Sequence, residues 1–413
     1  MLLTIDDLRL AARKRLPRAV FGFIDGGAED EVTLARNRSA FQRLELLPRA
    51  MVDVSEIDLQ TELFGEHLSA PLILAPTGLC GIATSRPEIA AARAAVGAGI
   101  PFTASCMSSV TLEEVAREVT GGHWFQVYVW RDREITRELV QRAQAEGYRT
   151  LVVTIDVPVL GQRERDVRNR ATIPPQVTIR NALDILRRPR WLASIMTGPT
   201  VAFANVAAAY PSRGAGRFAL APIINGLFDP SITWKDLDWL RGLWRGPLLV
   251  KGILSAEDAK LAVLHRADGI IVSNHGGRQL DGAPASVEAL PEVVDAVGGD
   301  AVVILDGGIR RGSDWAKALA LGADAGMIGR PYLYGLAVGR EHGARRAIDI
   351  LTAELRRVMA LLGCVSIGDL RCSRVRDPAK PMVTRIPSQQ QARAATAGEN
   401  GPEPAGASSI PMS

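Results

Sequence analysis

Aromatic side chains make up only 5% of this 413-residue chain, and nowhere do they interleave with basic residues along a stripe. A nucleic-acid surface needs that mixture of charge and stacking, so the formal net charge of +4 does not point to one. Cysteine is sparse. Cys80, Cys106, Cys364 and Cys372 form neither a CxxC pair nor a metal-ligand spacing, which suits a reducing cytosol. The start, Met1-Leu2-Leu3-Thr4-Ile5-Asp6-Asp7, has acids where an export signal has a basic head and an apolar run, so no export is expected. Lysine is confined to Lys14, Lys235, Lys251, Lys260, Lys317 and Lys380. No Gly-x-Gly-x-x-Gly follows the first apolar strand, which removes the usual sign of a dinucleotide fold.

What is present is core. With 47% hydrophobic and 23% charged residues the chain reads as globular, as one large domain with extensions or as two. Residues 4–38 read as helical, with Thr4 or Asp6 as cap and a turn at Asp25-Gly26-Gly27-Ala28-Glu29-Asp30. Residues 41–70 mix short alternating segments with charge, as a lid over a barrel end does. From Pro71 a rhythm sets in. Apolar strands are expected at Leu72–Thr77, Pro101–Ser105, Trp124–Val129, Leu151–Val157, Leu248–Gly252, Ile270–His275, Val302–Gly307 and Ala325–Gly329. Segments of helical period lie between them at Pro87–Ala98, Leu112–Val119, Arg133–Glu146, Ala256–Arg266, Ser286–Val297 and Ser313–Leu321. Strands alternating with helices over roughly 260 residues predict an α/β fold, a (β/α)8 TIM barrel with an N-terminal helical extension; an open doubly wound sheet is the runner-up.

A barrel collects its chemistry at the carboxyl ends of its strands. Here those ends carry Thr77, Ser105, Gln126 with Tyr128, Thr154 with Asp156, Lys251, Ser273 with His275, Asp306 and Arg330. Single polar strand ends are ordinary; eight converging ones argue for a lined pocket. Ser273-Asn274-His275-Gly276-Gly277-Arg278-Gln279-Leu280-Asp281-Gly282 is the richest of them. An imidazole can take a proton near neutral pH and a guanidinium can fork onto a carboxylate, though a polar turn with a capping histidine would read the same way. Lys251, at the end of a buried strand, needs either a carboxylate on a neighbouring strand or an electron-rich ligand. Asp306-Gly307-Gly308-Ile309-Arg310 and Gly329-Arg330 end the last two strands, the usual phosphate seat of a barrel.

Ser273–Gly282, together with Asp306–Arg310 and Gly329-Arg330, resembles the signature of the FMN-dependent 2-hydroxy acid dehydrogenases and oxidases, over about residues 4–370. The resemblance implies FMN as cofactor. It places Ala75, Pro76 and Thr77 beside the flavin, Ser105, Gln126 and Thr154 at its ring edge, and Lys251, with Ser273 nearby, at its N1 and O2 end, where reduced flavin gathers negative charge. The phosphate would rest on Gly307, Gly308, Arg310, Gly329 and Arg330, and Asp306 on the ribityl chain. By the same resemblance His275 is the catalytic base and Asp156 its carboxylate partner. Arg163 and Arg278 clamp the substrate carboxylate, and Tyr128 binds substrate.

Two positions depart from the family pattern. Phe23 stands where relatives carry a tyrosine that gives the substrate carboxylate a further hydroxyl, and Met107 stands where short-chain oxidases tend to have tryptophan; Met107 suits a larger substituent or merely fills core. Gly78 follows the dehydrogenase pattern, where glycolate oxidase has alanine. An insertion is expected at about 171–244, with residues 191–212 uncharged between Arg187, Arg188 and Arg190 on one side and Arg213 and Arg217 on the other. It resembles that of the membrane-associated (S)-mandelate dehydrogenase branch, which implies a peripheral contact through about 177–215 on the inner face of the cell membrane, electrons passed to a quinone or other acceptor, and a tetramer; a disordered or subunit-covering loop is the alternative. The expected layout is one domain over 1–375 and a Pro-, Ala-, Gly- and Ser-rich disordered tail over 376–413. The expected activity is oxidation of a mandelate- or lactate-like (S)-2-hydroxy acid to the 2-keto acid. Alternatives are a soluble oxidase using O2, another phosphate-seating barrel enzyme such as an FMN-dependent isomerase, and a non-catalytic flavin-binding membrane protein.

Overall fold

The computed structural model describes residues 1–169, 179–199, 201, 203–208, 226–371 and 375–378. Eight parallel strands form one sheet: β1 (Leu72–Leu74), β2 (Thr103–Ser105), β3 (Trp124–Val127), β4 (Thr150–Thr154), β5 (Leu248–Ile253), β6 (Gly269–Val272), β7 (Val302–Asp306) and β8 (Ala325–Ile328). Each pairs with its neighbour in chain order, and β8 pairs with β1. A parallel bridge from Leu74 to Phe102 closes the ring between β1 and β2. The outcome is the expected (β/α)8 barrel.

Both faces of these strands are buried, which is why they read as unbroken apolar runs. Ile73, Trp124, Val152, Leu249, Ile271, Ile304 and Met327 point inward and pack into one cluster. Their chain neighbours, such as Leu151 and Val153 or Ile270 and Val272, point outward against the helices. The alternation does not stop where the apolar residues do. Two residues beyond Val152, Leu249, Ile271 and Ile304 come Thr154, Lys251, Ser273 and Asp306, so one inward row supplies the core below and polar groups above.

The expected helices stand between the strands within a residue or two, from Pro87–Gly97 to Gly312–Ala320. The N-terminal segment is three helices, Ile5–Arg15, Arg18–Asp25 and Val32–Arg43, rather than one; Thr4 caps the first with a capping box to Asp7. Arg9 holds Asp25 with two bonds of 2.5 and 2.8 Å, and Tyr334 donates to the same carboxylate at 2.8 Å, fixing the extension to the barrel. The lid expected from residues 41–70 is a hairpin, Thr61–Leu63 with Glu66–Leu68, whose Leu63 and Leu68 plug the barrel at its amino-terminal end.

The chain after β4 is less of an insertion than 171–244 implies. Trp234–Leu243 packs on Arg133–Ala145 as the crossover helix into β5. Ahead of it, the described residues form short helices at Ile179–Leu186, Pro189–Met196 and Ala204–Ala208. No helix among the described residues is long and apolar enough to cross a membrane. Of the tail, Val375–Arg376 pairs with Glu45–Leu46, and the expectation of disorder from residue 379 on lies outside the described residues.

Candidate active site

A cavity of about 600 Å³ opens at the carboxyl ends of the strands. Among the residues expected at the site, all but Asp156 and Ser273 line it, and those two bond to residues that do. Its floor is a set of side-chain chains running across neighbouring strands. Ser105 Oγ donates to Gln126 Oε1 at 2.7 Å, and Gln126 Nε2 donates to Thr154 Oγ1 at 3.0 Å, joining β2, β3 and β4. Lys251 Nζ donates to Ser273 Oγ at 2.9 Å and pairs with Asp306 at 3.0 Å, joining β5, β6 and β7. The carboxylate reading of this lysine therefore holds, and the side chain also lines the cavity. Burial works against its charge, but Asp306 and then Asp156 outweigh it and hold its pKa above the ordinary lysine value.

His275 is not delivered by strand alternation. β6 ends at Val272, and His275, Gly276 and Gly277 follow with φ of 57°, 65° and 73°. A histidine in the left-handed region is held there by its surroundings. Its N–H donates to Ser273 Oγ at 3.1 Å, and its Nδ1 meets Asp156 Oδ1 at 2.9 Å, which leaves Nε2 to the cavity. Burial, with help from Lys251 and Arg163, depresses the His275 pKa against the opposing pull of Asp156. The ring is thus neutral and able to accept a proton at neutral pH. For Asp156 the effect of burial, which would raise its pKa, is overcome by His275 and then Lys251, so the carboxyl stays ionised.

Arg163, Arg278 and Phe23 face one another at the mouth. The Phe23 ring lies under both guanidiniums, with centroid distances of 5.2 Å to Arg278 and 5.8 Å to Arg163. Arg278 Nη1 donates to Phe23 O at 2.8 Å and Gly26 O at 3.0 Å, while the buried Arg163 Nε has no partner among the described residues. Burial, then Arg163 and Arg330, pull the Arg278 pKa well below its ordinary value. These are cations short of counter-charge, fitted to an anionic ligand. Asp166 also lines this mouth; burial raises its pKa against Arg278 and Arg163. Its place in Arg163-Glu164-Arg165-Asp166 was the available sequence sign, and nothing there separates it from a surface acid. Phe203 and Phe228 close the apolar side and come from the segment after β4, where spacing gave no guide.

On the opposite side, Gly307 and Gly308 adopt φ of 106° and 83°, and a Cβ on Gly308 would lie 2.2 Å from Asn37 O. Such a turn only glycine can make, and it brings backbone to the cavity beside Arg310 and Arg330. Arg330 is pinned by carbonyls of Ile24 (3.1 Å), Gly276 (3.0 Å) and Gly26 (2.7 Å). The cavity so built has a cationic end lined by glycine backbone, a polar strip across β2 to β7, and a base beside two arginines. A phosphate-bearing ring cofactor and a small anion fit these parts.

Comparison with known proteins agrees. The sequence profile of the FMN-dependent dehydrogenases matches residues 12–377. The L-lactate dehydrogenase of Ectopseudomonas mendocina (strain ymp) is 44% identical over 365 residues, 88% of this chain and 96% of that one. The L-lactate dehydrogenase of Haemophilus influenzae (strain PittEE) is 44% identical over 376 residues, 91% of this chain and 98% of that one. Among solved structures, the monotopic membrane protein (S)-mandelate dehydrogenase superposes with a TM-score of 0.86 at 43% identity, covering 89% of this chain and 97% of its own. Mandelate oxidase with (S)-4-hydroxymandelic acid gives a TM-score of 0.78 at 38% identity, with 91% and 99% covered. Barrel, cavity and relatives lead to one conclusion: the chain belongs to the family of FMN-dependent dehydrogenases.

Proposed function

We propose that this protein oxidises an (S)-2-hydroxy acid with a bulky or aromatic substituent, mandelate-like in form, to the 2-keto acid. The observation that carries the reading is the His275–Asp156 pair, at 2.9 Å, set beside Arg163 and Arg278 in one cavity. Forming a keto acid removes two electrons and two protons from the substrate; bound FMN would supply the sink for the electron pair and one proton, which leaves one proton for a base. Arg163 and Arg278 grip the carboxylate and so fix the carbinol carbon against the base. His275 Nε2 accepts the proton that leaves the substrate. Asp156 keeps the ring in the tautomer with Nδ1 protonated and stabilises the imidazolium that forms. Tyr128 stays a hydrogen-bond donor, since burial first, then Cys106 and Asp156, push its pKa up. Lys251, Ser105, Gln126 and Thr154 would hold the ring edge of bound FMN, with Ala75, Pro76 and Thr77 beside it, and Gly307, Gly308, Arg310, Gly329 and Arg330 would seat its phosphate.

Substituent size is read from the apolar side. Leu79, Met107, Leu160, Val167, Phe203 and Phe228 line it, more apolar surface than a methyl group needs. The downstream acceptor on this reading is a membrane quinone, with the protein a tetramer held peripherally on the inner face of the membrane. Support for the membrane contact comes from Leu183, Leu186 and Met196, 53%, 65% and 75% exposed on the two helices after β4, beside Arg187 and Arg190. The test is anaerobic mixing of the yellow holoenzyme with a panel that includes mandelate and lactate. Bleaching with mandelate faster than with lactate is expected; a flavin that stays oxidised with every member of the panel overturns the reading.

A further inference from the structure

A second cavity, of about 320 Å³, lies behind the helix Pro189–Met196, away from the flavin site. Three guanidiniums reach it from three elements: Arg15 at the end of the first helix, Arg190 at the start of Pro189–Met196, and Arg340 in the long helix Arg330–Leu362. Hydroxyl-bearing Thr84, Ser194 and Thr197 complete its polar lining, and among the described residues no aspartate or glutamate lines it. Among the described residues none of the three arginines has a carboxylate partner. Arg15 Nη1 donates to Val338 O at 2.8 Å and Arg340 Nη2 to Ser194 Oγ at 3.3 Å, both neutral acceptors.

Elsewhere the fold pairs arginine with acid routinely, as in Arg9–Asp25 and Arg133–Asp229. Arg190 and Arg340 are exposed and Arg15 is half-buried, so water screens part of their mutual repulsion, and an anion placed among the three like charges would relieve the rest. Burial, then Arg190 and Arg340, all depress the Arg15 pKa, and no neighbouring acid opposes them. The backbone is committed to this arrangement as well. Arg340 sits at φ 51°, ψ −129°, where the long helix breaks after Gly339, a conformation a non-glycine residue keeps only when its surroundings impose it.

We propose that Arg15, Arg190 and Arg340 form a binding site for a phosphate group, that of an anionic phospholipid headgroup. Guanidinium forks match phosphate oxygens in pairs, so three of them supply the donors one such group needs; the hydroxyls line the hollow but already bond within the fold, Thr197 Oγ1 to Ala193 O at 2.8 Å and Thr84 Oγ1 to Ser194 Oγ at 3.2 Å. The lipid source follows from position, because Met196 is exposed on the helix that carries Arg190, and Leu183 and Leu186 are exposed on the short helix just before it, ready for acyl chains. The inference rests on the membrane reading above for its source of phosphate, but not for the site itself.

The test uses the full-length holoenzyme in flotation with vesicles of phosphatidylcholine alone and of an equal mixture with phosphatidylglycerol, and in thermal unfolding with sn-glycerol 1-phosphate. R190Q/R340Q is compared with R13Q/R187Q, which removes the same charge from exposed arginines outside the cavity. Expected is loss of about tenfold or more in partitioning onto mixed vesicles for R190Q/R340Q, against about threefold or less for the control. Glycerol phosphate should raise the Tm of wild type and control but not of the cavity variant. Equal losses in both variants, with glycerol phosphate indifferent, overturn the site in favour of diffuse attraction. If wild type floats with neither vesicle while glycerol phosphate still stabilises it through Arg190 and Arg340, the phosphate site stands, its ligand is soluble, and the membrane reading falls. Flavin absorbance verifies folding, and a cavity double variant that loses flavin is replaced by R340Q alone, read against R187Q.

Discussion

At the scale of single residues, the neutrality of His275 is the property on which activity depends. Burial holds its pKa below the ordinary value of 6.5, and Asp156 alone among the main influences pulls upward together with its hydrogen bond. Since only the neutral ring accepts a proton, kcat/KM should rise as pH climbs through that depressed value and be flat above 6.5. Asp156→Asn removes the upward pull, so the acid limb should move to lower pH while kcat falls about 10²- to 10⁴-fold; a pH–rate profile with an unmoved limb would place the essential ionisation elsewhere. The same shift bears on stability. A histidine whose folded pKa is depressed contributes fully above its unfolded value and loses that contribution as pH falls through the folded one. Phe23 is the other informative residue. Its ring already packs under Arg163 and Arg278, so a hydroxyl added at its tip would lie among their donors. Phe23→Tyr should lower KM for a simple 2-hydroxy acid about 2- to 10-fold, from ~0.5–1.5 kcal/mol per hydrogen bond. An unchanged KM would mean that the tip points away from the carboxylate.

At the scale of elements, the strand ends work because the inward row of each strand continues past its apolar part. Thr154, Lys251, Ser273 and Asp306 were legible in the sequence for that reason, since period two needs no tertiary information. Asp156 and His275 were also legible as polar residues near strand ends, but their roles came through resemblance to a family, and both lie beyond the last paired residue of their strands, where the chain turns. What brings them together is a bulge in β5. Register shifts between Lys251 and Ile253, and Gly252 adopts φ 113° with Asp156 against it. A Cβ at Gly252 would stand 2.7 Å from Asp156 Cβ and 2.9 Å from its Cγ. Gly252→Ala should therefore displace the carboxylate from His275, lowering kcat at least tenfold and stability by about 1–3 kcal/mol through backbone strain. Stopped-flow flavin reduction and a thermal melt measure the two effects, and a variant with wild-type reduction would show that Asp156 tolerates the shift.

At the scale of the whole molecule, the barrel carries two kinds of outwork. The N-terminal helices close the carboxyl end, with Asn37 and Asn274 exchanging amide bonds of 2.9 and 2.8 Å and Ala28 N–H donating to Gly277 O at 2.9 Å. The segment after β4 contributes Phe203 and Phe228 to the cavity and carries the exposed apolar residues outside it. Deleting 177–215 should move the protein from the membrane pellet to the supernatant and, by removing Phe203, weaken selection for bulky substrates. Fractionation of the intact chain tests the first part directly, since a full-length protein that is soluble without detergent excludes an anchor there.

The sequence by itself determined the barrel, its eight strands and the cationic, glycine-rich end, because period two, helical period and turn chemistry are local properties written in neighbouring residues. It did not determine that Trp234–Leu243 belongs to the barrel, that the helix after β8 runs to Leu362 with a break at Gly339, or that residues 61–68 plug the far end. Those choices rest on which buried surfaces meet. Packing decided the rest of the site as well: the pairing of His275 with Asp156 across 119 positions, the seat of Phe23 under two arginines, and the gathering of Arg15, Arg190 and Arg340 around one cavity. Contacts between residues so distant along the chain leave no periodic trace in it, and only the closed fold brings them within bonding distance.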